Sequence, residues 1–434
     1  MAPVTPARRR AAAVLRAVFR GRRLDLALSD AAKDLPSQDR RWLQELAYGT
    51  IRLRGRLDHL LDLHLKRGVK SVAAPVLDLL RLGAYQLLYM DGVPAYAAIS
   101  QAVDQAREEM GTGGGRLANA VLRSLDREGG DEARFPDFAS HPLDHLTTWG
   151  SHPSWLVERW LRKWGPEETR TLVAWNNTPP QLYLHPLGMT PEKAVALLRE
   201  GGWDCGPVEE GNPCVLMGNG TNPATLLEGI TGIIQDPGAA LVTVYADPPP
   251  GVRLVDLCAA PGGKALALSH GRGRVLAGDR SPSRLEVLRE NFRRVGTGVD
   301  LMVADARRPP LRTAQFVLLD VPCSGTGTFR RHPDARWRLT PEAIDVLVEL
   351  QAEILKAAWP LVPPGGHLVY STCTLEEEEN EARIRRFLEE HPMFGLEETG
   401  QVPDRFLTRE GFLRVLPQDS GFDGSFAARL VRRS

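Results

Sequence analysis

The sequence predicts a multidomain protein: an all-α bundle over residues 5–128, a linker and helix over 129–165, a small α/β module over 166–236, and an α/β domain built on a parallel sheet over 237–434. Three observations predict it. The length, 434 residues, corresponds to two or three domains. Apolar residues recur at helical spacing as far as Leu125. From Val252 onward, short apolar runs alternate with helical stretches, the pattern of a parallel sheet covered by helices on both faces.

The first helix places Val14, Leu15, Val18 and Phe19 on one face and Arg8, Arg9, Arg10, Arg16 and Arg20 on the others. Leu35-Pro36-Ser37 breaks the chain before a long pattern through Trp42, Leu43, Leu46, Ala47, Ile51, Leu57, Leu60 and Leu61. Helical runs Val76–Met90 and Ala95–Met110 follow, then a break at Gly111–Gly115 and a last run, Leu117–Leu125. Short connections of this kind suit a helical bundle. Arg127–His152, rich in Gly, Asp, Pro and His, reads as a linker, and Pro153–Trp164 as a helix.

In the small module, Gln181–His185 and Cys214–Met217 read as strands, and Thr190-Pro191 starts a helix that stops at Gly201-Gly202. In the C-terminal domain the strands are Val252–Leu257, Val275–Ala277, Leu301–Ala304, Phe316–Leu319 and Leu368–Tyr370. Ser281-Pro282 and Thr340-Pro341 open two of its helices.

Lys and Arg together number 54, as do Asp and Glu, yet the charge is unevenly spread. Residues 1–130 hold 21 basic and 14 acidic residues, whereas 131–236 hold 7 and 14. A basic N-terminal third points to an acidic partner, nucleic acid first. Arg-rich helix faces are also commonly just solvated. Five cysteines without a Cys-x-x-Cys pair argue against a disulfide scaffold and against zinc, so a reducing cytoplasm is expected. No stretch approaches the roughly 18 apolar residues of a membrane span. The Arg-rich N-terminus has no acid before Asp25, but arginines interrupt any apolar core and Ser is missing before Ser29, so it reads as a first helix rather than a transit peptide.

Parallel sheets bind ligands beyond the carboxyl ends of their strands, and the unusual residues fall there. The first strand runs into Asp256-Leu257-Cys258-Ala259-Ala260-Pro261-Gly262-Gly263-Lys264. Small residues and paired glycines let a ligand approach the backbone, although the spacing is neither a dinucleotide fingerprint nor a P-loop. A strand-to-helix turn explains the glycines but not Lys264. Asp279 ends the second strand; it either holds a ribose, the position where this fold class places an acid, or opens the Ser281-Pro282 turn. Asp305 ends the third strand and Asp320 the fourth, so four acids share one rim. Cys323, in Asp320-Val321-Pro322-Cys323-Ser324-Gly325-Thr326-Gly327, and Cys373, in Ser371-Thr372-Cys373-Thr374, lie just past neighbouring strand ends. Cys205 and Cys214 read as small buried hydrophobes and Cys258 as a pocket-lining turn residue. The acidic run Glu376–Glu379 reads as a helix start complementing the helix dipole.

Asp-Leu-Cys-Ala-Ala-Pro-Gly-Gly-Lys, Asp-Val-Pro-Cys-Ser-Gly-Thr-Gly and Ser-Thr-Cys together resemble the bacterial RNA cytosine-C5 methyltransferases of the RsmB/Sun (Fmu) type. Arg330-Arg331-His332-Pro333-Asp334-Ala335-Arg336-Trp337 is similar to the signature of the 16S rRNA branch, and the likeness is collinear over nearly the whole chain. The resemblance implies a NusB-like RNA-binding bundle over 5–128, a small RRM-like module without an aromatic stacking motif, and a Rossmann-like class I S-adenosylmethionine-dependent methyltransferase domain.

By the same resemblance the cofactor is S-adenosylmethionine. Cys258, Ala259, Ala260, Pro261, Gly262, Gly263 and Lys264 would line its methionine and adenosine path, Asp279 its ribose and Asp305 its adenine, with Asp320 between methyl donor and base. Cys373 would attack cytosine C6 and Cys323 would assist resolution, with Asp320 also in the catalytic set. C5 of cytosine is too weak a nucleophile to take a methyl group until a thiolate has added at C6. The residues alone support a cysteine pair; the order of roles comes from the resemblance. The implied partner is 16S rRNA, free or in an assembling small subunit, with no membrane, no metal and a monomeric chain. The alternatives are a tRNA cytosine-C5 methyltransferase with the same core and a non-catalytic RNA-binding assembly factor; the presence of both cysteines speaks against the second.

Overall fold

The computed structural model describes residues 4–270 and 275–433. The chain forms two compact units: one runs through Thr178 and takes in Phe329–Arg338, and the other comprises Pro179–Thr328 and Leu339 onward.

The first unit is all helical. Pro6–Phe19, Leu24–Ala31, Ser37–Arg52, Arg54–Asp62 and Ala74–Tyr89 precede Ala95–Glu128, and their apolar faces meet in a core where Leu15, Leu43, Leu46, Leu57, Leu60, Leu61, Leu80 and Leu122 are completely buried. The break expected at Gly111–Gly115 shrinks to one residue: Gly111 takes a φ of +71°, and helix resumes directly after it. The expected linker is structured. Phe135 joins the bundle core, Pro142–Thr148 is helical, and Ser151 and His152 are fully buried. Loop-forming composition is overridden here by tertiary packing. The next helix also runs further than its apolar pattern, from Ser154 to Asn176, bending at Gly165-Pro166.

Phe329–Arg338, the segment after the Pro-Cys motif, is packed within this first unit. Arg336 is its anchor. The guanidinium is completely buried and donates to the carbonyls of Ser151 (3.3 Å), Asn176 (3.0 Å) and Phe329 (3.1 Å) and to Asn177 Oδ1 (2.8 Å). Trp337 Nε1 donates to the Ile51 carbonyl, and Arg52 donates to the Arg330 carbonyl. Arg336→Ala would strand several buried acceptors at once, which costs about 3–5 kcal/mol. Seven of the nine tryptophans lie in this unit. Denaturant unfolding followed by tryptophan fluorescence is therefore expected to show stability falling by that amount, and a loss under about 1 kcal/mol would show the anchor to be dispensable.

The second unit holds two sheets. The smaller has strands β1 (Tyr183–Pro186), β2 (Cys205–Pro207), β3 (Val215–Met217) and β4 (Gly232–Ile234) in the order β2-β3-β1-β4, all antiparallel. With helices Pro191–Glu200 and Pro223–Gly229 between them this is a β-α-β-β-α-β unit.

The larger sheet contains β5 (Leu254–Asp256), β6 (Val275–Asp279), β7 (Val299–Val303), β8 (Phe316–Asp320), β9 (His367–Thr372), β10 (Phe394–Leu396), β11 (Leu413–Val415) and β12 (Ser425–Arg432). Its order is β10-β12-β9-β8-β5-β6-β7, with β11 paired to β12. β5 to β9 are parallel, as expected, but β12 is antiparallel and lies between β9 and β10, so the sheet is mixed. The chain moves outward from β5 through β6 to β7, then returns to place β8 on the other side of β5. This reversal opens a crevice at the carboxyl ends of β5 and β8. Thr190, Ser281 and Thr340 cap the three helices predicted to start there, each side chain accepting a backbone N–H. Among the described residues no helix is long and apolar enough to cross a membrane.

Candidate active site

The rim at the carboxyl ends of β5, β6, β8 and β9 assembles from four turns. After β5, Asp256 is buried and its Oδ1 accepts the Cys258 N–H at 3.1 Å, closing the turn. Burial, reinforced by the nearby Asp320 charge, pushes the Asp256 carboxyl up to about 8. The Ala259 N–H reaches across to the Gly278 carbonyl (2.9 Å), which ties this turn to the end of β6. Gly262 sits at φ +106°, and a Cβ there would lie 2.9 Å from Leu288. Glycine is required, and the backbone stays bare of side chains at the mouth of the crevice. Cys258 is half-buried; burial, with Asp256 next, holds its thiol well above the ordinary range.

Lys264, in the first turn of the helix Gly263–Ser269, reaches Asp320 at the end of β8: Nζ donates to Oδ2 at 2.7 Å. The other Asp320 oxygen accepts from Ser371 Oγ (2.9 Å) at the end of β9. Burial opposes the Lys264 charge, but Asp320, with Cys373 and Asp256, outweighs it and the ammonium is held above its usual range. Asp279, buried at the end of β6, accepts the Ser281 N–H on Oδ1 (2.8 Å) and faces Arg284 Nη1 at 3.2 Å. Arg284 also donates to the Ala260 carbonyl. Asp279 therefore opens the Ser281-Pro282 turn while remaining a buried acid on the rim.

Asp305 differs. It stands two residues beyond the end of β7, is half-exposed, and its carboxylate is taken up by Arg307 (Nη2 to Oδ2, 2.7 Å), whose hydrogen bonds hold it down at about 2.

The two cysteines meet. β8 and β9 are adjacent and parallel, in register Asp320 to Ser371, so the residues three and two positions further on face each other. Cys323 Sγ and Cys373 Sγ are 3.3 Å apart, and the Cys373 N–H points to Cys323 Sγ at 3.3 Å. The hydrogen bond with Cys373, then burial, hold the Cys323 thiol well above the ordinary range. The loop after Cys323 closes tightly on its neighbour. The Gly327 N–H donates to the Cys373 carbonyl, and a Cβ at Gly327 would stand 2.7 Å from Gly424 Cα and 2.8 Å from that carbonyl. Cys205 and Cys214 are buried, as expected.

Ser371 and Arg284 escape sequence reasoning as partners of Asp320 and Asp279. Ser371 lies inside a motif noticed for its cysteine; Arg284 looks like any helix-surface arginine. The acidic run departs from expectation more sharply. Glu377–Glu379 is a short 3-10 turn, the following helix begins at Glu381, and Glu379 is completely buried behind the cysteines.

Comparison with known proteins adds the following. Residues 243–431 match the family model described as 16S rRNA methyltransferase RsmB/F, residues 5–127 the NusB family, and 152–222 a ferredoxin-like domain of RsmF/B-like methyltransferases. The chain is 35% identical to a probable ribosomal RNA small subunit methyltransferase B of Synechocystis sp., over 94% of this chain and 95% of that protein. It is 33% identical to the ribosomal RNA small subunit methyltransferase B of Klebsiella pneumoniae, over 98% and 97%. A solved structure described as that of PH0851 superposes with a TM-score of 0.79 at 27% identity, covering 99% of this chain and all of that one.

Proposed function

The chain belongs to the RsmB/F family of 16S rRNA methyltransferases, and on that premise we propose that it methylates C5 of a cytosine in 16S rRNA, with S-adenosylmethionine as methyl donor and a transient cysteine–C6 bond. The observation that carries this reading is the pair of thiols 3.3 Å apart beside the Lys264–Asp320 ion pair. A single nucleophile would need no second thiol; a reaction that forms and then releases a covalent adduct has work for two.

The rim fits the cofactor. The bare backbone at Gly262 leaves room for it, and the carboxylates of Asp279 and Asp320 offer acceptors and negative charge to a ligand with hydroxyls and a cationic centre. Cys258–Lys264 and Asp279 would hold it, with Asp305 at the outer edge. When bound, it supplies an electrophilic methyl group.

The chain's own residues do the rest. Cys373 Sγ bonds to C6, and the electron density driven into the ring makes C5 nucleophilic. The Lys264 ammonium, held by Asp320, would balance charge that builds on the base. After methylation the C5 proton must leave before the Sγ–C6 bond can break, and Cys323 serves that release.

The substrate is 16S rRNA, free or in an assembling small subunit, held in part by the NusB-like helices. Lys66, Arg67 and Lys70 form an exposed cationic group between the helices Arg54–Asp62 and Ala74–Tyr89. Replacing all three with glutamine is expected to weaken rRNA binding and to make its log–log salt dependence shallower by about 2, at roughly 0.7 for each phosphate no longer neutralised. An unchanged slope would make this face merely solvated. Mapping 5-methylcytosine in RNA from cells lacking the protein tests the substrate: one 16S rRNA cytosine should lose its methyl group, and a loss confined to tRNA would support the tRNA enzyme instead.

A further inference from the structure

Behind the two thiols lies a buried polar chain that the reaction as described does not use. Glu379 is 0% exposed. Its Oε2 accepts the Ser324 N–H (2.9 Å) and Gln351 Nε2 (2.8 Å), and its Oε1 accepts the Ser324 hydroxyl. The Ser324 oxygen lies 2.6 Å from Thr374 Oγ1, Thr374 Oγ1 lies 3.0 Å from Thr326 Oγ1, and Thr326 Oγ1 accepts the Leu375 N–H at 2.9 Å. Ser324 and Thr374 are the residues immediately after Cys323 and Cys373.

The directions of these bonds follow from the two ends. A carboxylate only accepts and a backbone N–H only donates. Ser324 must therefore give its one hydrogen to Glu379, Thr374 gives to Ser324, and Thr326 gives to Thr374, while Leu375 supplies the last donor. Every hydroxyl is satisfied in one sense of the chain, running alternately between the Cys323 loop and the Cys373 loop. Burial pushes the Glu379 carboxyl up, and hydrogen bonding from Ser324, Gln351 and the nearby Thr374 hydroxyl holds it back. Gln351 also donates to the Pro322 carbonyl (3.0 Å), and the Tyr370 hydroxyl donates to the Glu379 carbonyl (2.7 Å), so both flanks of the turn are fixed.

We propose that Glu379 is a positioning residue for the reaction: as the terminal acceptor of this one-way chain, it locks the loops that carry Cys323 and Cys373 at the spacing two cooperating thiols need. The inference rests on the two-cysteine reading above, but its first test does not depend on methylation. Glu379→Gln keeps the shape. Its amide oxygen can replace Oε2, whereupon the NH₂ group faces the Ser324 hydroxyl as a donor and opposes the direction of the chain.

The measurement is the rate at which diamide oxidises the Cys323–Cys373 pair, mapped by peptide mass spectrometry; the two thiol hydrogens pass to the diazene as its hydrazine. The wild-type chain should form this disulfide readily. Glu379→Gln should form it about tenfold more slowly and lose turnover to a similar degree, at unchanged cofactor affinity and unchanged KM for RNA. Should Glu379→Gln fail to fold, Thr374→Val removes one link without changing shape and should slow oxidation, and Thr374→Ser should restore it. The proposal is overturned if the wild-type pair does not oxidise, if folded Glu379→Gln oxidises and turns over within about twofold of wild type, or if Thr374→Val and Thr374→Ser behave alike. A wild-type protein that forms the disulfide but methylates no cytosine would refute the proposed function and leave the lock standing.

Discussion

Cys373→Ala is expected to abolish methylation and to form no covalent complex with RNA, whereas Cys323→Ala is expected to lose turnover yet accumulate a protein–RNA adduct that survives denaturing electrophoresis. The difference follows from the order of bond making. Without the attacking thiol no C6 bond forms, and C5 never becomes a nucleophile. Without the second thiol, attack and methylation remain possible but release stalls. The contrast is informative because the two sulfurs are only 3.3 Å apart, so reach alone does not distinguish them. A stable complex from Cys373→Ala but not from Cys323→Ala would reverse the assignment, and full activity in Cys373→Ala would remove covalent catalysis from the account.

Asp279→Ala is expected to weaken S-adenosylmethionine binding roughly 10- to 150-fold, the loss of about 1.5–3 kcal/mol that a hydrogen bond to a charged group contributes. Asp279 is buried at the end of β6, with one oxygen on the Ser281 N–H and the other facing Arg284. Its replacement also frees Arg284, which donates to the Ala260 carbonyl in the turn after β5, so the loss should lie in the upper half of that range. Calorimetry settles the point, and an unchanged affinity in a folded variant would take Asp279 out of the site.

Much of this site is legible in the chain because parallel sheets bind their ligands at strand ends. A reader who finds the strands finds Asp279, Asp320, Cys323 and Cys373 together. The helix starts at Thr190, Ser281 and Thr340 are legible for a local reason, a capping side chain followed by proline. Two kinds of feature are hidden. β12 escapes notice because Arg429 interrupts its apolar pattern; only its partners, Glu397 and the Ala246 carbonyl, make that arginine tolerable inside a sheet. Glu379 is hidden by its neighbours, since four consecutive glutamates read as a helix start complementing the helix dipole. Its burial depends on Ser324, 55 residues away, and nothing local reports that. Arg336 is an intermediate case: the motif around it is recognisable, but its work, bonding to the carbonyls of Ser151 and Asn176, depends on a linker-like stretch that turns out to be packed.

The central claim is that a Cys373–C6 bond precedes methylation at C5, and one trap tests it directly. In 16S rRNA carrying 5-fluorocytosine, fluorine replaces the C5 hydrogen and cannot leave as a proton, so release is blocked after the methyl group has been added. Incubated with S-adenosylmethionine and digested, the wild-type protein should yield one cross-linked peptide. That peptide should contain Cys373 and carry a methylated, fluorinated cytosine. A cross-link on Cys323, or methylation of ordinary 16S rRNA with no trapped peptide from the fluorinated substrate, would contradict the account.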